Sequence, residues 1–250
     1  MSQETNPQPP EDSNIEVGPP PQRLRLDDLL SKAVAQAGYR RVAKLTYRAQ
    51  WSAEDVEHIL AFDTYGTPKI FLRGDAGLRN AGADRFVLQC QGRYASPIVL
   101  RCLRESRYVP PPWHCWLQFS IGDLFNWGVG GSLTTVDYTP EALEAAIAGP
   151  VRDKLVLYLG GITTIAKLLE FAERDEEPMR WFRVAGYIRA AIVAYLAAKL
   201  GVARQQTRDL LMKRAEYMTN SLDTARFTPE SFIDHVLDDA EAEFSGGQAP

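Results

Sequence analysis

The sequence predicts an α+β fold, with an N-terminal helix and an antiparallel sheet packed with a C-terminal helical bundle. Apolar residues first repeat at helical spacing, alternate with period two over much of 39–75, and return to helical spacing from residue 139 onward. Short connections join the strand-like runs, which suits antiparallel neighbours because parallel pairs need long crossovers. Strands grouped ahead of helices, rather than alternating with them, distinguish α+β from doubly wound α/β.

The elements follow in order. Residues 1–22 are polar and punctuated by Pro7, Pro9, Pro10, Pro19, Pro20 and Pro21, with little to bury. That composition predicts a disordered tail. Pro19-Pro20-Pro21 also offers a preformed polyproline segment for recognition. Leu26, Leu29, Leu30, Ala33, Val34 and Ala37 then form one helical face, with Asp27 and Asp28 near its positive end and Gly38 as its left-handed stop. Three strand-like runs follow, over 39–50, 55–63 and 69–75. The first places Arg41, Ala43, Leu45 and Tyr47 on one face, and the second Val56, His58, Leu60 and Phe62. Thr64 to Pro68 reads as a turn, so the runs form a meander.

Residues 79–107 are ambiguous: Ala83–Gln91 could be a helix and Ile98–Leu103 a further strand. Pro110-Pro111-Pro112 imposes an extended break, Trp113–Ser120 reads as a strand, and Gly128–Ser132 as a loop. Thr139-Pro140-Glu141 and Thr228-Pro229-Glu230 are twin helix starts, each with a capping threonine, a proline pre-set for the first helical position and a glutamate facing the dipole. Between them lie expected helices near 151–159, 162–174, 178–200 and 203–220. The organisation expected is a tail over 1–22, a sheet region over 23–138, a helical region over 139–244 packed on the sheet as one domain, and a frayed end over 245–250.

Composition limits function. The net charge is −4 and no basic run occurs, which argues against a nucleic-acid partner. No apolar stretch is long enough to span a membrane, and the N-terminus has no basic start followed by an apolar core. Three cysteines, Cys90, Cys102 and Cys115, do not make a disulfide scaffold, so a reducing cytoplasm is the expected compartment. Charge is uneven. Residues 39–107 carry twelve basic and seven acidic side chains, and residues 108–250 carry thirteen and nineteen. The two halves either complement each other within one fold or steer a partner.

Few residues point to chemistry. His114-Cys115 is the most reactive-looking pair, but neighbours on a strand face opposite ways. Cys115 would need a base from elsewhere, with His58 the one available across the sheet. No Cys-x-x-Cys or His-x-x-x-His spacing suggests a metal, and no glycine motif suggests a phosphate or nucleotide, so no cofactor is expected. Arg73 and Asp75 share one strand face, with Asp63 at the end of the preceding strand. Trp113, Trp116, Phe119, Phe125 and Trp127 form a dense aromatic region, which either fills the core or, if exposed, marks a binding surface. The candidate binding residues are therefore Arg73, Asp75, Trp113, His114, Trp116, Phe125 and Trp127, with no catalytic or metal residue assigned.

The succession Ala37-Gly38-Tyr39-Arg40-Arg41, Leu45-Thr46-Tyr47-Arg48, Val56 to Phe62 and Phe71 to Leu78 resembles the small bacterial proteins of the domain of unknown function 4304 family. Those open with a helix ending in Gly-Phe-Lys/Arg, followed by an aromatic-basic strand and an antiparallel sheet. Trp113-His114-Cys115-Trp116-Leu117 is similar to the family's later His-Cys before an apolar strand. The resemblance spans residues 26–125. The family's glutamine after the second strand has no evident counterpart, and the helical region from 139 is longer than the family's. The resemblance implies an α+β fold and no activity, so no catalytic residue comes with it.

The function expected is a non-enzymatic protein-binding module of the adaptor or immunity type. The alternative is a small-ligand binder or an enzyme of another kind, with a site between sheet and helices near Arg73, Asp75, His114 and Trp127. The apolar stripe over 181–196 raises a homodimer as a further alternative.

Overall fold

The computed structural model of the chain describes residues 21–53, 55–66, 69–105, 114–125, 127, 132–134, 139–176, 186–219 and 221–245, with backbone alone at 21–25 and 103–105. Most of the expected tail, the Pro110–Pro112 break, Trp113 and the Gly128–Gly131 loop lie outside the described residues.

The fold is α+β, built on a six-stranded antiparallel sheet. Its strands are β1 (Tyr39–Ala43), β2 (Thr46–Ala49), β3 (Glu57–Tyr65), β4 (Phe71–Arg79), β5 (Leu117–Ser120) and β6 (Ser132–Thr134). The order is β1-β2-β3-β4-β5, with β6 also paired to β4. The run read as one strand over 39–50 is instead a hairpin. Tyr39 pairs Ala49 and Arg41 pairs Tyr47, and the chain reverses at Lys44-Leu45, where Leu45 is left-handed with φ 53°. A two-residue turn leaves the alternation unbroken in sequence, so periodicity alone does not expose it.

One sheet face is apolar. Tyr47, Leu60, Leu72, Ala76, Leu78, Leu117 and Phe119 are all buried along it. Helix α1 (Pro21–Ala35) packs there through Leu30, Ala33 and Val34. The Tyr47 hydroxyl reaches Ser31 at 3.2 Å, and Arg41 pairs Asp27 at 2.8 Å. The Gly38 stop is left-handed as expected, with φ 78°. Helix α2 (Ala81–Tyr94) starts on Asn80, whose side chain accepts from the Ala83 amide at 2.9 Å. Ile98–Leu103 is not a strand. It lies in α3 (Pro97–Glu105), where Pro97 opens the first turn and Ser96 Oγ accepts from the Val99 amide.

After the short α4 (Ile121–Phe125), α5 (Pro140–Pro150) begins on the expected Thr139 cap. Pro150 supplies no backbone donor, and residues Val151–Leu155 form a π-helical turn before α6 (Val156–Leu159). The remaining helices are α7 (Ile165–Glu173), α8 (Gly186–Leu200), α9 (Arg204–Met212) and α10 (Pro229–Ser245). The second twin start is also capped, with Thr228 Oγ1 accepting from the Ser231 amide at 3.2 Å.

Helix α8 is central, packed by α2, α7 and α10, and every residue from Gly186 to Ala197 is buried. The stripe expected to pair with a second copy is thus consumed within the chain from Gly186 onward. Ion pairs join the basic and acidic halves, as at Lys199–Asp55 (3.3 Å) and Arg93–Asp239. Among the described residues no helix is long and apolar enough to cross a membrane.

Candidate functional site

The opposite face of the sheet carries the candidate site, and strand alternation builds it. On β4 the odd positions Arg73, Asp75 and Gly77 turn away from the helices. On β5, Gln118 and Ser120 do the same, opposite Gly77 and Asp75. The segment His114–Trp116 then lies across this face. Gly77 permits the approach, because a Cβ there would sit 2.4 Å from Cys115 Cβ. The segment separates two open clefts. One, of about 300 Å³, is lined by Arg73, Asp75, His114, Trp116, Ser120 and Asp123. The other, of about 370 Å³, adds Lys44, Thr46, Ile59 and Ala61. Asp75, His114, Cys115 and Gln118 belong to both.

Charge in the site is mixed. Arg73 stands 3.7 Å from Asp75. Burial raises the Asp75 pKa, Arg73 opposes that rise, and Asp123 and Asp63 add to it. Burial lowers the His114 pKa, so the imidazole is neutral at neutral pH; its ring meets Trp116 edge-on at 4.6 Å. Cys115 is buried, which holds its thiol well above the usual range. A protonated thiol is a poor nucleophile. The His58 partner considered for it lies on the other sheet face, beside Leu78 in register rather than Gly77. Its Nε2 instead bonds the Ile162 carbonyl at 2.8 Å. No cluster of His, Cys, Asp or Glu fit for a metal occurs among the described residues.

The structure thus brings together Arg73, Asp75, His114 and Trp116. Phe125 and Trp127 do not join them. They are 8% and 5% exposed, with ring centroids 5.8 Å apart in the core. The site lies on the sheet face away from the helices, not between sheet and helices. Sequence reasoning passed over Gln118, Ser120 and Asp123. The first two share the alternation of their strand, which was the available signal.

Next to the clefts, ion pairs run Arg48–Glu57 (3.1 Å), Glu57–Arg79 (2.9 Å) and Arg79–Asp84 (3.1 Å). Burial pushes the Asp84 pKa up to about 7 despite the Arg79 contacts. His58, fully buried, is pushed down to about 4 by burial. These shifts oppose each other in acid. The His58 contribution to stability is complete above about pH 6.5 and is lost as pH falls toward 4, because the unfolded chain then binds the proton the folded chain refuses. Its full size is roughly 3 kcal/mol. The Asp84 contribution is complete below about pH 4 and is lost as pH rises to 7. We expect a shallow urea-stability profile between pH 4 and 6.5 in the native chain. Asp84→Asn should expose a steep loss on acidification, and an unchanged slope would show that Asp84 does not titrate in this range.

No family model, curated protein or solved structure matches the chain.

Proposed function

We propose that the chain is a non-enzymatic protein-binding module of the cytoplasm, and that it recognises its partner on the sheet face opposite the helices. The observation that carries this reading is the pair of open clefts meeting at Asp75, His114, Cys115 and Gln118. Open, mixed-polarity clefts suit a segment of a partner surface better than an enclosed small molecule, whose sites bury most of the ligand. The protonated Cys115 thiol supports a binding role over nucleophilic catalysis. The partner chemistry that fits best is a segment presenting a lysine or arginine. Its charge would meet the carboxylate of Asp75, with Asp63 and Asp123 close enough to act on the same group. Its methylenes would lie along the half-buried Trp116 indole.

The test is retention from lysate of the native host, with the full chain as bait beside Asp75→Asn and Trp116→Ala. A single stoichiometric protein held by the native chain, and lost by both variants at unchanged circular dichroism, is the expected result. Retention indifferent to both substitutions would place recognition elsewhere. No protein above background, with a metabolite that raises the melting temperature of the native chain but not of Asp75→Asn, would move the site to the small-ligand reading.

A further inference from the structure

Three buried polar atoms on the helix-facing side of the sheet have no hydrogen-bond partner among the described residues: Tyr39 Oη, Trp51 Nε1 and His58 Nδ1. They belong to one aromatic row. Tyr39 meets Trp51 edge-on with centroids 5.8 Å apart, and Trp51 meets His58 at 4.2 Å. Tyr39 and His58 are 1% and 0% exposed. Between their strands runs β2, where Ala49 pairs Tyr39 while the adjacent Arg48 pairs Ile59, next to His58. The middle of the row is therefore a single methyl group.

Buried polar groups are almost always satisfied, by protein or by ordered water. Here the donor and acceptor roles are fixed. His58 Nε2 faces the Ile162 carbonyl at 2.8 Å, so it carries the proton and Nδ1 is a bare acceptor. The low pKa of the ring agrees with that neutral form. The indole Nε1 can only donate, and the Tyr39 hydroxyl can do either.

We infer that Tyr39, Trp51 and His58 bind one internal water. It accepts from Trp51 Nε1, donates to His58 Nδ1 and bonds the Tyr39 hydroxyl. That makes three bonds, the number a buried water ordinarily makes. The water holds His58 in the tautomer that donates to Ile162. It thereby links β1, the β2–β3 connection and β3 to the residues leading into α7. This inference is independent of the partner site.

Tyr39→Phe tests it by sign. If the hydroxyl bonds a water, its removal lowers the folding equilibrium constant about fivefold, the worth of one typical hydrogen bond. If the hydroxyl is merely stranded, phenylalanine relieves an unpaired polar atom and raises that constant. The accompanying measurement is a cross-relaxation peak between water and the Trp51 indole proton in the native chain, identified by its loss in Trp51→Phe. Destabilisation together with the peak is expected. A neutral or stabilising Tyr39→Phe, or a missing peak, overturns the inference.

Discussion

Arg189→Ala is expected to lower the stability of the chain by about 3 to 5 kcal/mol, the usual cost of removing one member of a buried, hydrogen-bonded charge arrangement. Arg189 is 0% exposed in the first turn of α8. Its Nε donates to the Ala172 carbonyl at 2.7 Å, and a terminal nitrogen donates to the Arg174 carbonyl. These carbonyls lie at the C-terminal end of α7, where helix carbonyls have no intrahelical donor and the dipole is negative. Burial brings the guanidinium pKa down to about 10, with Asp175 opposing the fall, so the cation persists at neutral pH. Alanine would leave both a cavity and unpaired carbonyls. Arg189→Met fills most of the volume and should cost roughly 1 to 3 kcal/mol, the part due to the carbonyls. Urea unfolding at constant m separates the two. A loss under about 1 kcal/mol for alanine would show that the end of α7 is satisfied without Arg189.

Gly186→Ala should cost about 3 kcal/mol, the upper part of the range for overpacking. An alanine Cβ at this position would lie 2.2 Å from the Tyr217 carbonyl oxygen and 2.9 Å from the Met218 amide nitrogen. Both are backbone atoms of the 3₁₀ turn Ala215–Met218, so no side-chain rotation relieves the contact. Thermal unfolding would report the cost. Gly92→Ala is the control, since nothing lies within 4 Å of a Cβ there, and helix propensity predicts a slight gain. Equal behaviour of the two variants would mean that α8 and the turn move apart freely.

Legibility in the sequence followed how local the signal was. The twin Thr-Pro-Glu starts were readable because a cap, a proline and an acidic first turn act within four residues, and both cap as expected. The Lys44-Leu45 reversal was hidden because alternation runs through it, and Leu45 is not a residue that advertises a left-handed turn. Residues 98–103 were open to a strand reading because a short apolar run does not separate strand from helix, and the Ser96-Pro97 start was overlooked. On the candidate site, Arg73 and Asp75 were placed correctly on one face by alternation alone. The crossing of His114–Trp116 over Gly77 depends on a contact between distant parts of the chain, which no local pattern encodes. Likewise, aromatic content marked Phe125 and Trp127 without saying that both turn into the core.

The arrangement of strands also orders events in time. The hairpins β1–β2, β2–β3 and β3–β4 join neighbours in sequence, so each closes a small loop. Strands β5 and β6 share the far edge of β4, but reach it only after α2 and α3 have been traversed. Closing that longer loop is the slower step, because its entropy is lost before its contacts form. The four-stranded meander is therefore expected to form early, and the candidate face is completed last, when β5 brings His114–Trp116 over it.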